Sequence, residues 1–172
     1  DLLSDAERCA LAQCSIFRGG FTLNAAEEVI DLQSWGEWPM DVVQRLVQQS
    51  LIRSTEPILG HIRFQMYESI REYAHDKLST PGVITNDEGH HVTGPEAVAA
   101  VERRHCAFYA NLGAEEVLET HFWGADPEVR QAFRLERDNL AQATTSGRHG
   151  PSAVHARATV AWAAIYQWYG PY

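Results

Sequence analysis

A chain of 172 residues with 45% hydrophobic and 22% charged residues is globular in composition and long enough to fold without disulfides or a structural metal. Its formal charge of −9 argues against a sequence-independent hold on DNA phosphates, and no apolar run reaches the ~20 residues of a membrane-spanning helix. Lys77 is the only lysine, and no GxxxxGK[ST] surrounds it, which excludes a self-sufficient P-loop NTPase. The opening DLLSDAERCALAQ is charged and lacks the layout of a signal peptide, so a soluble cytoplasmic protein is expected, with no membrane partner.

Ser4 followed by Glu7 is a capping-box signature and predicts a helix from about Asp5 to Ile16, ended by Arg18-Gly19-Gly20. Asn24 then caps a second helix, AAEEVIDL. Residues 33–38 read as a loop carrying two tryptophans around Gly36. Pro39 suits the first turn of a third helix, whose Met40, Val43, Leu46 and Val47 follow helical spacing. Leu51 and Ile52 start a strand, EPILGH turns the chain, and IRFQMY returns as a second strand with Ile62, Phe64 and Met66 alternating. A fourth helix from Glu68 to Leu78 places Ile70, Tyr73, Ala74 and Leu78 on one face. Three helices, a hairpin and one more helix describe a winged helix.

From residue 79 the composition turns to STPGVITNDEGHHVTGP, which predicts a flexible linker. Beyond it the sequence is read as helical only, over 96–119, 128–145 and 152–168. The expected fold is therefore mainly α: a winged helix at 1–80, a linker at 81–95 and an antiparallel, helical-repeat-like bundle at 96–172. Trp162, Tyr166 and Tyr169 repeat at helical spacing, and Phe122, Trp123 and Trp168 add to the aromatic content of this half. These rings are either core between stacked helices or a docking face for a following repeat, and the end YQWYGPY favours a truncated array.

The order LSDAERCALAQCSIFRGGFTLNAAEEVI, VVQRLVQQSLIR and IRFQMYESIREYAHDKL resembles the region after the nucleotide-binding core of STAND-class ATPases. These are signalling NTPases with an NB-ARC core, here in the bacterial form attached to transcription regulators of the AfsR type. RRHCAFYANLGAEE and FRLERDNLAQA, with its E-x-D-N-L, resemble the entry to their tetratricopeptide-like sensor region. The resemblance implies a non-catalytic regulatory fragment. Its own part would hold no cofactor, whereas ADP or ATP would sit in an NTPase core outside this sequence. The implied partners are that nucleotide-binding domain and an unknown protein or small-molecule signal at the helical array.

In such proteins the winged helix closes over ADP through a Met-His-Asp motif at the hairpin-to-helix junction. Here the junction reads Met66-Tyr67-Glu68, with Arg71 one turn on. The resemblance assigns the nucleotide-sensing switch to these four residues, Tyr67 standing in for histidine as a hydrogen-bond donor to phosphate. The competing structural reading has Tyr67 packed beneath the wing and Glu68 acting only as a capping acid.

DNA binding is the rival function, because winged helices often read the major groove with their third helix. Its contacts would be Gln44, Arg45, Gln48 and Gln49 on that helix, with Asp41 opposing Arg45, and Arg53 and Arg63 in the wing. The excess of acid in residues 1–80 makes DNA an unfavoured partner for this chain. No catalytic or metal-ligating residue is assigned. The eight histidines, among them the adjacent His90 and His91, show no HExxH or paired-ligand spacing. Neither GxSxG nor a converging Cys–His pair is present. Cys9, Cys14 and Cys106 are expected as buried thiols.

Overall fold

The computed structural model describes residues 2–119, 127–147 and 151–169. Its first half builds the expected winged helix. Helix α1 (Asp5–Cys14) starts on the capping box: the Ser4 hydroxyl accepts from the Glu7 N–H at 3.2 Å, and the Ser4 N–H donates to Glu7 Oε2 at 2.9 Å. Helix α2 (Leu23–Val29) starts two residues earlier than the Asn24 signal implied, because the Thr22 hydroxyl takes the cap, accepting from the Ala25 N–H at 3.2 Å. Both residues are competent caps; with Thr22 outside, Leu23 turns onto the core.

Gln33–Trp35 forms a single 3-10 turn that ends on Gly36 in the left-handed region. Helix α3 (Pro39–Gln48) buries Val42, Val43 and Leu46. Strands β1 (Ile52–Ile58) and β2 (His61–Met66) pair antiparallel with Ile52 opposite Met66 and Ser54 opposite Phe64; the pairing is irregular between Thr55 and Ile58, where Pro57 has no N–H to give. Phe21 adds a short third rung, exchanging both backbone hydrogen bonds with Phe64 at 2.9 and 2.8 Å. Helix α4 (Glu68–Ser79) closes the unit.

The segment expected as a flexible linker is a closed, turn-rich loop. The Gly94 N–H donates to the Leu78 carbonyl, Thr93 Oγ1 accepts from the Val83 N–H, and Ile84 is buried in the core. Helix α5 (Pro95–Ala110) follows. The long helix expected over 96–119 stops there: Asn111–Gly113 tightens to a 3-10 turn, and α6 (Glu115–Leu118) is one further turn. The reason is tertiary. A Cβ on Gly113 would lie 2.0 Å from the carbonyl oxygen of Arg157, so the last helix, α9 (Ser152–Tyr169), packs directly on this backbone. Gly113→Ala should therefore cost about 1–3 kcal/mol in urea unfolding, as overpacking against a rigid helix does; a loss below about 0.5 kcal/mol would refute the close approach.

The expected helix over 128–145 is likewise two, α7 (Pro127–Arg134) and α8 (Arg137–Ser146), broken at Leu135 and Glu136. Helix α9 (Ser152–Tyr169) packs on α5 and α8. Its Trp162 is half-buried and meets Tyr166 edge-on at 4.7 Å. Phe122 and Trp123, and the side chains of Trp168 and Tyr169, lie outside the described residues.

One apolar cluster runs through both halves, from Ala10, Val29, Val43, Leu46 and Phe21 to Val101, Tyr109, Leu140, Ala161 and Ile165. Arg104 of α5 adds a polar tie. It donates to the terminal Val29 carbonyl of α2 at 2.7 Å, an acceptor that the helix end leaves open, and to the Gln13 side-chain Oε1 at 2.8 Å. No helix among the described residues is long and apolar enough to cross a membrane.

Candidate functional site

The residues expected to face DNA have separate fates. Gln44 and Gln48 are exposed on α3, and Gln49 just past its end. Arg45 is held inside the chain: its Nε donates to Glu7 Oε1 at 2.9 Å, and its Nη2 pairs with Glu37. These two carboxylates, rather than Asp41, oppose it, Glu37 contributing most to holding its charge. Burial works against ionisation of Glu7, yet its hydrogen bond from the Ser4 backbone and the neighbouring Arg45 hold its carboxyl below the usual range.

Arg63 departs furthest from the expectation of a wing contact. Its side chain is only 3% exposed. It pairs with Glu136, with Nη2 at 3.2 Å from Oε2, and donates to the carbonyls of Gly20 at 3.0 Å and Leu135 at 3.2 Å. The wing cation is therefore consumed in fastening the hairpin to the start of α8 and cannot reach a duplex.

The four residues of the predicted switch come together. Met66, Tyr67, Glu68 and Arg71 line one pocket of about 310 Å³, with Arg18, Gly19, Gly20, Arg53 and Gln65 and the apolar Cys14, Phe17 and Phe21 completing its wall. Tyr67 does not pack beneath the wing. It is the residue before α4 and half-exposed, with the Arg53 guanidinium 5.2 Å from its ring centre. Arg53 also donates to Gln65 Oε1 at 2.8 Å. Glu68 makes no side-chain cap; its carboxylate is taken by Arg71, whose hydrogen bond holds the carboxyl below its usual range.

Arg18 is the member of this site that sequence reasoning missed, where it served only as part of a helix-ending Arg-Gly-Gly. Its guanidinium makes no hydrogen bond or ion pair with the described residues. Burial, and then the charge of Arg71, disfavour its protonated form, with Glu68 partly offsetting them. The pocket thus holds three arginines against one carboxylate. Such a concave, cationic site beside a phenol fits a small polyanion, phosphate or pyrophosphate above all, because guanidinium forks match phosphate oxygens. The signal that could have found Arg18 is its position beside paired glycines, which turn the backbone at the pocket wall.

A larger trough of about 760 Å³ between α1 and α4 is lined mainly by apolar side chains, and of the predicted residues only Gln49 borders it. Among the described residues no group of three or more His, Cys, Asp or Glu could hold a metal. His90 and His91 are spread between Glu88 and Thr85 respectively. The three thiols are free and buried, and burial pushes Cys9 up to about 11 and raises Cys14 and Cys106.

Residues 3–79 match the family model of the winged helix-turn-helix domain. Comparison of the whole chain with curated proteins and with solved structures finds no match. The first half of the chain is thus a winged helix by family model and by architecture, followed by further helices.

Proposed function

We propose that this chain is a non-catalytic regulatory fragment of a bacterial STAND-type signalling ATPase and transcriptional regulator. It couples the nucleotide state of an NB-ARC core to partner or ligand sensing by a tetratricopeptide-like helical region. The observation that carries this reading is the distribution of arginines. Arg45 and Arg63, placed where a winged helix meets DNA, are ion-paired within the chain. Arg18 and Arg53, neither ion-paired among the described residues, gather with Tyr67 and the Arg71–Glu68 pair around a pocket roomy enough for a phosphate group. In the intact protein that pocket would meet the phosphates of ADP held by the preceding domain and release them on exchange, a two-state docking surface.

The second reading, a winged-helix DNA-binding regulator, is favoured by the family match and by the exposed Gln44 and Gln48 on α3 and Gln49 at its end. The two separate on one pair of measurements. Inorganic pyrophosphate should bind the chain saturably, and Arg71→Gln should weaken it about tenfold or more, as loss of a charge-assisted contact does. A duplex should give no mobility shift at ~50 mM salt. A complex with DNA that weakens steeply as salt rises, together with no pyrophosphate binding, would replace the first reading by the second.

A further inference from the structure

We infer that the Arg18–Gly20 turn couples filling of the arginine pocket to seating of the helical half on the winged helix, with Asn139 at the start of α8 as the latch. The inference rests on reading the pocket as a phosphate site.

The turn is gripped on one side by α8. Asn139, wholly buried, accepts from the Arg18 N–H at 2.7 Å and donates to the Gly20 carbonyl at 2.7 Å and to Glu136 Oε2 at 3.1 Å. Its amide is therefore used on both ends, and the Gly20 carbonyl receives a second donor from Arg63. The backbone of the turn has no room to slide. Gly19 and Gly20 both have positive φ; a Cβ on Gly19 would lie 3.0 Å from Asp138 Oδ2, and one on Gly20 would lie 2.9 Å from the Phe64 carbonyl. On its other side the same turn forms the pocket wall, through Arg18, Gly19 and Gly20.

Position therefore passes through the two peptide groups that flank the turn, the Arg18 N–H and the Gly20 carbonyl. While α8 is seated, Asn139 sets the Arg18 backbone and so the direction from which its guanidinium meets the pocket. When α8 lifts, the Arg18 N–H and the Gly20 carbonyl lose their buried partner and the turn is free to loosen. An anion that draws Arg18 and Arg71 together favours the seated state, and by reciprocity the seated state binds the anion more tightly. Arg18 acts by contact with the anion, whereas Asn139, which does not line the pocket, is a positioning residue.

The test uses the full chain and inorganic pyrophosphate. Expected are slower hydrogen exchange of the α8 amides in the wild type on adding pyrophosphate, and pyrophosphate affinity about fivefold or more weaker in Asn139→Ala. The exchange measurement needs no variant, so it decides the matter even where Asn139→Ala fails to fold. Pyrophosphate binding to the wild type with unchanged α8 exchange, or with equal affinity in a folded Asn139→Ala, overturns the coupling and leaves the pocket standing. No pyrophosphate binding to the wild type overturns the pocket reading, and the coupling with it.

Discussion

Glu136→Gln is expected to lower the unfolding free energy by about 3–5 kcal/mol, although it changes a single atom of one side chain. Arg63 has left water almost completely, and the Glu136 carboxylate is what compensates its charge. Removing one member of a buried pair leaves the other desolvated and unpaired, which costs far more than the pair itself contributes. The two carbonyls that remain to Arg63, from Gly20 and Leu135, offer dipoles but no charge. Replacing both members with apolar side chains, Arg63→Met with Glu136→Leu, should recover most of the loss for the same reason. The exposed pair Arg137–Asp138, on the same stretch of chain, supplies the contrast: Arg137→Gln should change stability by no more than about 1 kcal/mol. Urea unfolding of these variants checks the ordering. If Glu136→Gln is no worse than Arg137→Gln, Arg63 is not buried against α8.

Mild acid should destabilise the protein through His105. This imidazole is fully buried on α5 between Phe17 and Tyr109, with Nε2 3.5 Å from Asn139 Oδ1. Burial lowers its pKa to about 4, the Asn139 contact opposing the shift and the Arg18 charge adding to it. Above about pH 6.5 the ring is neutral in the folded and unfolded chains alike, and His105 exacts no penalty. Between about 6.5 and about 4 the unfolded chain binds a proton that the folded chain refuses, so stability falls with pH throughout that window. The shift corresponds to about 3 kcal/mol once pH is below about 4. His105→Phe removes the titration and keeps the ring. The difference in unfolding free energy between wild type and variant should then move by about 3 kcal/mol from pH 7 to pH 4, whatever their offset at pH 7. A difference that stays constant over that range would place the histidine in contact with water.

The winged helix was legible because its signals are local. Ser4 and Glu7 are three residues apart, Pro39 opens α3, and Val43, Leu46 and Val47 share one helical face. Even here two competent caps lay two residues apart, and Thr22 took the role expected of Asn24. The helical half was legible as helix but not in its breaks. Neither Asn111–Gly113 nor Leu135–Glu136 carries a proline; both interruptions answer to what packs on them, the α9 backbone in one case and Arg63 in the other. The wing shows the limit of alternation. Phe64 points to the core as its period-two pattern requires, and Arg63 consequently points to the opposite face, as a DNA contact would. That face is covered by the residues before α8, while Ile62, which alternates in step with Phe64, is 58% exposed.

At the candidate site the pattern is the same. Tyr67, Glu68 and Arg71 lie within five residues of one another, so a single junction in the sequence brings them together. Arg18 and Arg53 join them only because the chain folds back, through the turn after α1 and across the hairpin. The sequence by itself determined the order of helices and strands in the winged helix, that its cations are almost all arginine, and that acid exceeds base. Only the tertiary structure decided which arginines have charge to offer a ligand. Helical and strand periodicity depend on neighbours within about four residues. The carboxylate that consumes Arg63 lies 73 residues away, brought there by burial of a core that both halves share.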